Sequence, residues 1–561
     1  MRLPQVSYAD GIKTAKQDEF AGLNHNLGAK DGELWDMRNL CSDYSPLLAT
    51  RSRRMLYKTL QDPGGLFCWD KLCWVDGTTF YYDGVAKGTV TAGRKTFTAL
   101  GAYIVIFPDK AYYNTAADEF GNLEATWTGA SLTFTNGKLY EEDAEANCIQ
   151  AEGVNWEDYF KAGDAVTIAG CTKHTENNKT PVIREIDGDK LYFYEYIFTL
   201  DGEDGVTPYT ETGELSVSRT VPDLLFVCEN ENRLWGCDKT TIYASKLGDI
   251  FNWNVYEGLA TDSYSVDTGS AGSFTACISF LGYPRKEIHA GSFTACISFL
   301  GYPIFFKEDH IYKVYGSIPT NFEVMGSATL GVAAGSDRSL AIAGEILFYH
   351  SRAGIMAYSG GIPQPVGAAF GVERFEDAVG GSDGLKYYVS MAGKDGTYLL
   401  YVYDTQRGAW HIEDATQSTH FARCAGNLYL LDEGGNIWIT GNIQNPPEEA
   451  TMEDAFDWMA EFADWYEDSP NKKGVSKLLL RLEVDEGAEV QLFIMFDSTG
   501  EWIAVNGTLE GGVKRSYTLP IVPRRGDHYR IKLEGHGGCR VYSLAREYYD
   551  GSSLKSLPGR Q

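Results

Sequence analysis

No stretch of the chain approaches the roughly 20 consecutive apolar residues that a helix needs to cross a bilayer. Met1–Asp10 lacks a basic segment followed by an apolar run, so the expectation is folding in a cytoplasm without a secretory leader. Amphipathic patterns of period 3.6 are scarce, which excludes a helical bundle. Positive charge is short as well: 49 basic residues face 77 acidic ones, a net charge of −28. A surface that acidic repels a nucleic-acid backbone out to a Debye length of about 8 Å, which excludes tight binding of that partner. The 11 cysteines are scattered and odd in number. Cys68, Cys73, Cys228 and Cys237 lie in apolar strand contexts and read as buried free thiols. Cys68 and Cys73 have no matching His or Cys pair, so zinc is not expected.

Catalytic signatures are missing too. There is no phosphate-cradling glycine loop before a helix, no nucleophile elbow and no HExxH pair. Asp boxes of the sialidase type are absent, and Tyr403–Trp410 (YDTQRGAW) has the wrong order, reading as a hairpin with an aromatic packed behind it. We therefore assign no catalytic, cofactor-binding or metal residue from the sequence, and expect no cofactor and no enzyme.

What the chain does have is aromatic residues and turns: 35 Tyr, 27 Phe, 12 Trp and 61 Gly, a composition that favours strands. One pattern recurs: a strand, a short polar break, a strand ending in an aromatic, a turn, and a third strand carrying Tyr, Trp or Phe. It is clearest at Phe226–Gly248 (FVCENENRLWGCDKTTIYASKLG). Relatives lie at Leu66–Gly84, Phe97–Thr115, Ile297–Gly316, Ile342–Gly360, Tyr387–His411 and Phe421–Gly441. One such unit cannot bury its apolar face alone. Radially arranged four-stranded sheets solve that, so the pattern predicts a mostly-β fold with a β-propeller of six to seven blades.

The expected order is an irregular N-terminal arm (1–60), a first propeller part (61–130), a small inserted β-barrel (131–220), a second propeller part (221–444) and a C-terminal β-sandwich or jelly roll (445–561). The barrel is read from short strands and the Asp187–Gly188–Asp189 turn, and the linker from Asn445–Glu449. Asp454–Asp468 fits helical or strand spacing; the alternating strands read across residues 477–549 favour a strand. The string AGSFTACISFLGYP stands at Ala271–Pro284 and again, letter for letter, at Ala290–Pro303. A perfect copy is no old repeat, and only one copy needs a place in a blade. The second, which runs directly into IFFKEDHIYKVYG, is the expected occupant.

Several side chains invite chemistry without establishing it. His528 and His536 read as possible neighbours with structural roles. His411 and His420, near Glu413 and Asp414, resemble a metal cluster only loosely. Arg51, Arg53 and Arg54 form the densest basic cluster, read as a solvated or salt-bridged surface that acidic neighbours would meet in an assembly. Asp201, Glu203 and Asp204 are candidates for lining a bore, with a solvated loop as the plainer reading.

The strings FAGLNHN, DGELWDMRNL, SPLLATRSRR, NRLWGCDKTTIYASKLGDIFNWN, ILFYHSRAGIMAYSGGIPQPV and FDSTGEW…PRRGDHYRIKLEGHG carry a resemblance. From about residue 20 to 550 the chain resembles the propeller-containing tail nozzle, or tail tubular protein B, class of short-tailed bacteriophages and prophages. The resemblance implies a structural virion protein, assembled in the host bacterial cytoplasm and located in the tail. It implies a homo-oligomeric ring, sixfold in this class, that extends the DNA-ejection channel below the portal and adaptor. Implied partners are adaptor and portal-proximal proteins, tail fibres and double-stranded DNA in passage, with no membrane insertion. The alternatives are a receptor- or glycan-binding tail module and, third, a propeller glycan hydrolase.

Overall fold

The computed structural model describes residues 12–26, 30–137, 146–194, 197–202, 207–268, 292–467, 471–511, 514–522 and 524–550. The chain is a mostly-β, propeller-like fold that divides into two compact units. One is Asp62–Asp337; the other joins Met1–Gln61 to Arg338–Gln561.

Asp62–Asp337 contains four antiparallel four-stranded sheets. They run from Pro63–Cys68 to Val85–Thr89, Thr96–Leu100 to Glu119–Asn122, Phe226–Asn230 to Tyr264–Asp267, and Ala295–Phe299 to Glu323–Ala328. The other unit holds two more, Ala341–Ala343 to Gln364–Pro365 and Glu376–Ser382 to Ala409–Ile412, and a five-stranded one, Ser418–Cys424 to Asn436–Thr440 with Met55–Thr59 as its fourth strand and Thr451–Met452 as its fifth. Within each unit the first strand of one sheet packs beside the first strand of the next: Thr96–Leu100 on Phe226–Asn230 on Ala295–Phe299, and Ala341–Ala343 on Glu376–Ser382 on Ser418–Cys424. That is the arrangement of propeller blades.

The recurring polar break is a two-residue turn with both residues left-handed. Glu231 and Asn232 have φ of 50° and 59°, and Leu300 and Gly301 have 53° and 76° at the equivalent place one blade on. Turns of this hand match the twist of the flanking strands. The aromatics carried by the hairpins fill the space between sheets. Trp235 and Phe305 are buried in one such layer, with the rings of Trp235 and Phe322 5.1 Å apart. The second copy of the duplicated string supplies Ala295–Phe299 and Tyr302–Pro303 of its blade. The first copy lies outside the described residues.

Between the second and third blades, six strands form the sheet Thr167–Ala169, Tyr209–Arg219, Ala125–Gly137, Ala146–Gln150, Lys190–Phe193, Ile183–Asp187. Its edges meet: Val166 N–H donates to Pro181 O at 3.0 Å and Ile168 N–H to Lys179 O at 2.9 Å, closing a barrel around Trp127, Phe134, Trp156 and Phe193. The barrel strand begins at Ala125, six residues before the expected boundary, because Ala125–Gly129 already pairs with Leu215–Arg219.

The arm is the main correction. The described residues between 13 and 59 are not irregular; their strands are sewn into three sheets. Glu33–Arg38 pairs with Asp457–Phe462, and Leu48–Thr50 and Lys13–Gln17 pair with Cys539–Asp550. Met55–Thr59 completes the last blade through Asn436–Thr440. Two seven-stranded sheets built this way enclose a core that includes Leu34, Met37 and Leu40 from the N-terminal segment and Trp458, Leu480, Leu492 and Leu533 from the C-terminal one. Asp457–Phe462 is a strand. The reading of buried free thiols holds for Cys73, Cys228 and Cys237. It fails for Cys68, which is disulfide-bonded.

Candidate interaction surfaces

The basic cluster in the arm is not a surface. Arg51 and Arg54 are buried, and each is clamped by acids from distant parts of the same unit. Arg51 grips Glu453 with two nitrogens at 2.7 and 2.9 Å, and its Nε donates to Asn39 Oδ1 at 2.8 Å. Arg54 binds Glu413 at 2.6 Å and Asp414 at 2.9 Å. Burial works to raise the Asp414 carboxyl, and Arg54, Thr416 and Arg51 together outweigh it; at Glu453 burial is likewise outweighed, chiefly by Arg51, and both acids sit below the usual carboxylate range. Only Arg53 of the three is exposed, at the rim of a cleft of about 530 Å³ shared with Tyr44, Asp485 and Arg540.

The same preference runs through both units. Among the described residues the buried basic side chains (Arg51, Arg54, Lys95, Arg219, Arg233, Lys307, Lys473, Arg546) are nearly matched by buried acidic ones (Asp109, Asp164, Glu211, Asp262, Asp404, Glu413, Glu467). The buried charges therefore nearly cancel, and the acidic excess among the described residues stays at the surface.

The remaining candidates separate. Asp201 is ion-paired to Lys173 and to His174 Nε2, the latter at 2.9 Å, so its charge is locally compensated. Glu203 and Asp204 lie outside the described residues. His411 is buried and burial holds it down to about 4; its Nδ1 has no partner. His420 touches Thr419 at 3.3 Å, while Glu413 and Asp414 are committed to Arg54, so these four do not converge on an ion. His528 and His536 stand at opposite ends of the strand region Tyr529–His536, roughly 25 Å apart at strand rise, and are not neighbours. His536 pairs with Asp457 at 2.8 Å. The YDTQRGAW segment is a hairpin: Asp404 accepts from the Gln406 and Arg407 N–H groups, and the Tyr403 and Trp410 rings lie 4.9 Å apart.

Two further clefts missed by sequence reasoning are built by sheet register. On the sandwich, a groove of about 560 Å³ brings Asp457, Glu489, Glu534 and His536 onto one face with Asp414 at its side. In the other unit, a cleft of about 490 Å³ lies between the barrel and the third blade, lined by Lys179, Tyr194, Asn254 and Tyr256; Tyr194 and Tyr256 are 58% and 60% exposed.

No protein-family model and no curated protein matches the chain. Among solved structures it is similar to Raptor from Chaetomium thermophilum, with a TM-score of 0.30 and 11% identity over 71% of this chain and 30% of that one. The chain thus spans under a third of that protein's length. It is also similar to BamB from Moraxella catarrhalis (TM-score 0.24, 10% identity, 71% and 99% covered). A third is a GH43 glycoside hydrolase with endo-xylanase and exo-arabinofuranosidase activity (TM-score 0.19, 9% identity, 59% and 97% covered). Overlaps this loose carry no argument about function.

Proposed function

We propose that this chain is a structural protein of a short-tailed bacteriophage tail, a subunit of a sixfold ring that extends the DNA-ejection channel below the portal and adaptor. The observation that carries the reading is the charge: a net −28, with buried acids and bases nearly balanced so that the acidic excess lies at the surface. A ring concentrates its subunits' charge on a narrow bore, and a bore of like charge keeps DNA mobile. Head-to-tail contacts that close after a fixed rotation build such a ring. The N-terminal segment supports the same reading mechanically, since backbone ladders tie the last blade to both sheets of the sandwich. Adaptor, portal-proximal and fibre proteins are the partners, and the virion tail is the location.

Antibody against the chain is expected to label the tail, at the base of the head, in particles induced from the bacterium carrying the gene. The purified chain is expected to leave duplex DNA unretarded even at about 50 mM salt, where phosphate binders hold it most tightly. Particles without label, or DNA retarded by the chain, would overturn the proposal.

A second reading, a glycan-binding tail module, draws on the exposed Tyr194 and Tyr256 beside Lys179 and Asn254. Aromatic faces edged by polar groups suit sugars. Saturable binding of an oligosaccharide, abolished by Tyr194→Ala with Tyr256→Ala, would establish it.

A further inference from the structure

We infer that the blade ending in Glu323–Ala328 can exchange its first strand, seating either Ala295–Phe299 or the identical Ala276–Phe280 against the same neighbours. The inference is independent of the tail assignment and of the clefts described above.

The partners of this strand are common to both arrangements. Ala295–Phe299 pairs antiparallel with Tyr302–Phe306, Ala295 opposite Phe306 and Phe299 opposite Tyr302. Just ahead of it, the Thr294 N–H donates to Phe306 O at 2.8 Å and its Oγ1 to Val332 O at 2.9 Å. The Ser298 hydroxyl donates to Asn230 Oδ1 of the neighbouring blade at 2.8 Å. Phe293 is buried, its ring 5.8 Å from Phe305 and 5.6 Å from Tyr312. Phe274, Thr275, Ala276, Ser279 and Phe280 repeat Phe293, Thr294, Ala295, Ser298 and Phe299 in the same order. Seated in the same register, they meet the same Asn230, Phe305, Phe306, Tyr312 and Val332. Packing and ladder bonds therefore do not choose between the copies. Only the connections do.

With the second copy seated, residues 268–294 lead from Asp267 into the strand, and a two-residue turn, Leu300–Gly301, closes the hairpin to Tyr302. With the first copy seated, the entry shortens to residues 268–275 and the exit lengthens to residues 281–301. Loop-closure cost grows only with the logarithm of length, so the shorter entry offsets much of what the longer exit costs. The tight turn is itself strained: Leu300 has φ of 53°, a left-handed backbone that a bulky side chain adopts poorly, and it is 54% exposed. A long exit relieves it. The exchange also moves charge. Arg285–His289 (RKEIH) belongs to the entry in one arrangement and to the exit in the other. Entry and exit lie at opposite ends of the strand, roughly 17 Å apart at strand rise. The blade thereby transfers a basic Arg285–Lys286 pair from one of its ends to the other.

Phe299→Asp in the full chain tests the exchange, because Phe299 is buried and a carboxylate cannot be seated in its place. The first copy should then take over, leaving the melting temperature within about 3 °C of wild type. Phe280→Asp alone should change it as little. The two substitutions together leave no apolar copy and should lower melting by roughly 10 °C or more. Hydrogen exchange read by mass spectrometry identifies the seated copy, since the substitution gives the two otherwise identical peptides different masses. In Phe299→Asp the amides of residues 276–280 should exchange at least about tenfold more slowly than those of residues 295–299. Equal melting of Phe299→Asp and the double variant, at whatever temperature, or unprotected amides at 276–280 in Phe299→Asp, would overturn the inference.

Discussion

Arg54→Ala is expected to destabilise the protein by about 3–5 kcal/mol, the usual cost of leaving one partner of a buried ion pair uncompensated. Arg54 and Glu413 have side chains only 3% and 7% exposed, and they meet at 2.6 Å. Removing the guanidinium leaves the buried Glu413 carboxylate only the more distant Arg51, its Nε 4.0 Å away, and takes from Asp414 its closest cation. The double replacement Arg54→Met with Glu413→Leu should restore most of the loss, since an apolar pair of similar volume needs no compensation. Denaturant unfolding, read through the transition midpoint, decides it. A loss under about 1 kcal/mol for Arg54→Ala would show that the network is wet rather than buried.

Acid is expected to unfold the same unit in a defined window. His350 and His411 are buried, and burial is the leading cause that holds each down to about 4. In the unfolded chain a histidine titrates near 6.5, so between about pH 6.5 and 4 the unfolded state binds more protons than the folded one. Stability therefore falls as pH falls through that window, by on the order of 3 kcal/mol for each histidine once pH 4 is reached. Asp414 and Glu453, held below the usual carboxylate range, extend the loss below about pH 4. Titration of the exposed acids acts the other way, relieving repulsion as the pH approaches the isoelectric point near 4.7. The decisive readout is thus the difference between wild type and the His350→Gln, His411→Gln double variant. The variant should show a flatter decline from pH 6.5 to 4. Parallel curves would mean that neither histidine is buried neutral.

The blades are readable in the sequence because their information is local. Each hairpin carries its own turn signal and its own aromatic, as in Glu229–Trp235, and successive units repeat within a few dozen residues. The short strands Leu40–Cys41 and Leu48–Thr50 have no such signal. Strands of two and three residues show no alternation, and they exist only because Cys539–Asp550 offers a free edge. The arginine cluster misleads for the same reason: its counter-charges, Glu413 and Glu453, lie 359 and 402 residues away from Arg54 and Arg51. Charge density in sequence looks like surface; tertiary pairing makes it core. Asp497 and Asp527, 30 residues apart, are brought together only by strand register, with His528 beside them. His528 stands out in the sequence, but beside the wrong histidine.

The central claim is that copies of this chain close into a ring that serves as a conduit. Mass photometry of the purified full chain, alone and with the adaptor ring, tests it most directly. The account predicts one discrete species at about six subunit masses, formed alone or upon adding the adaptor. Subunits that stay single or trimeric under both conditions would contradict it.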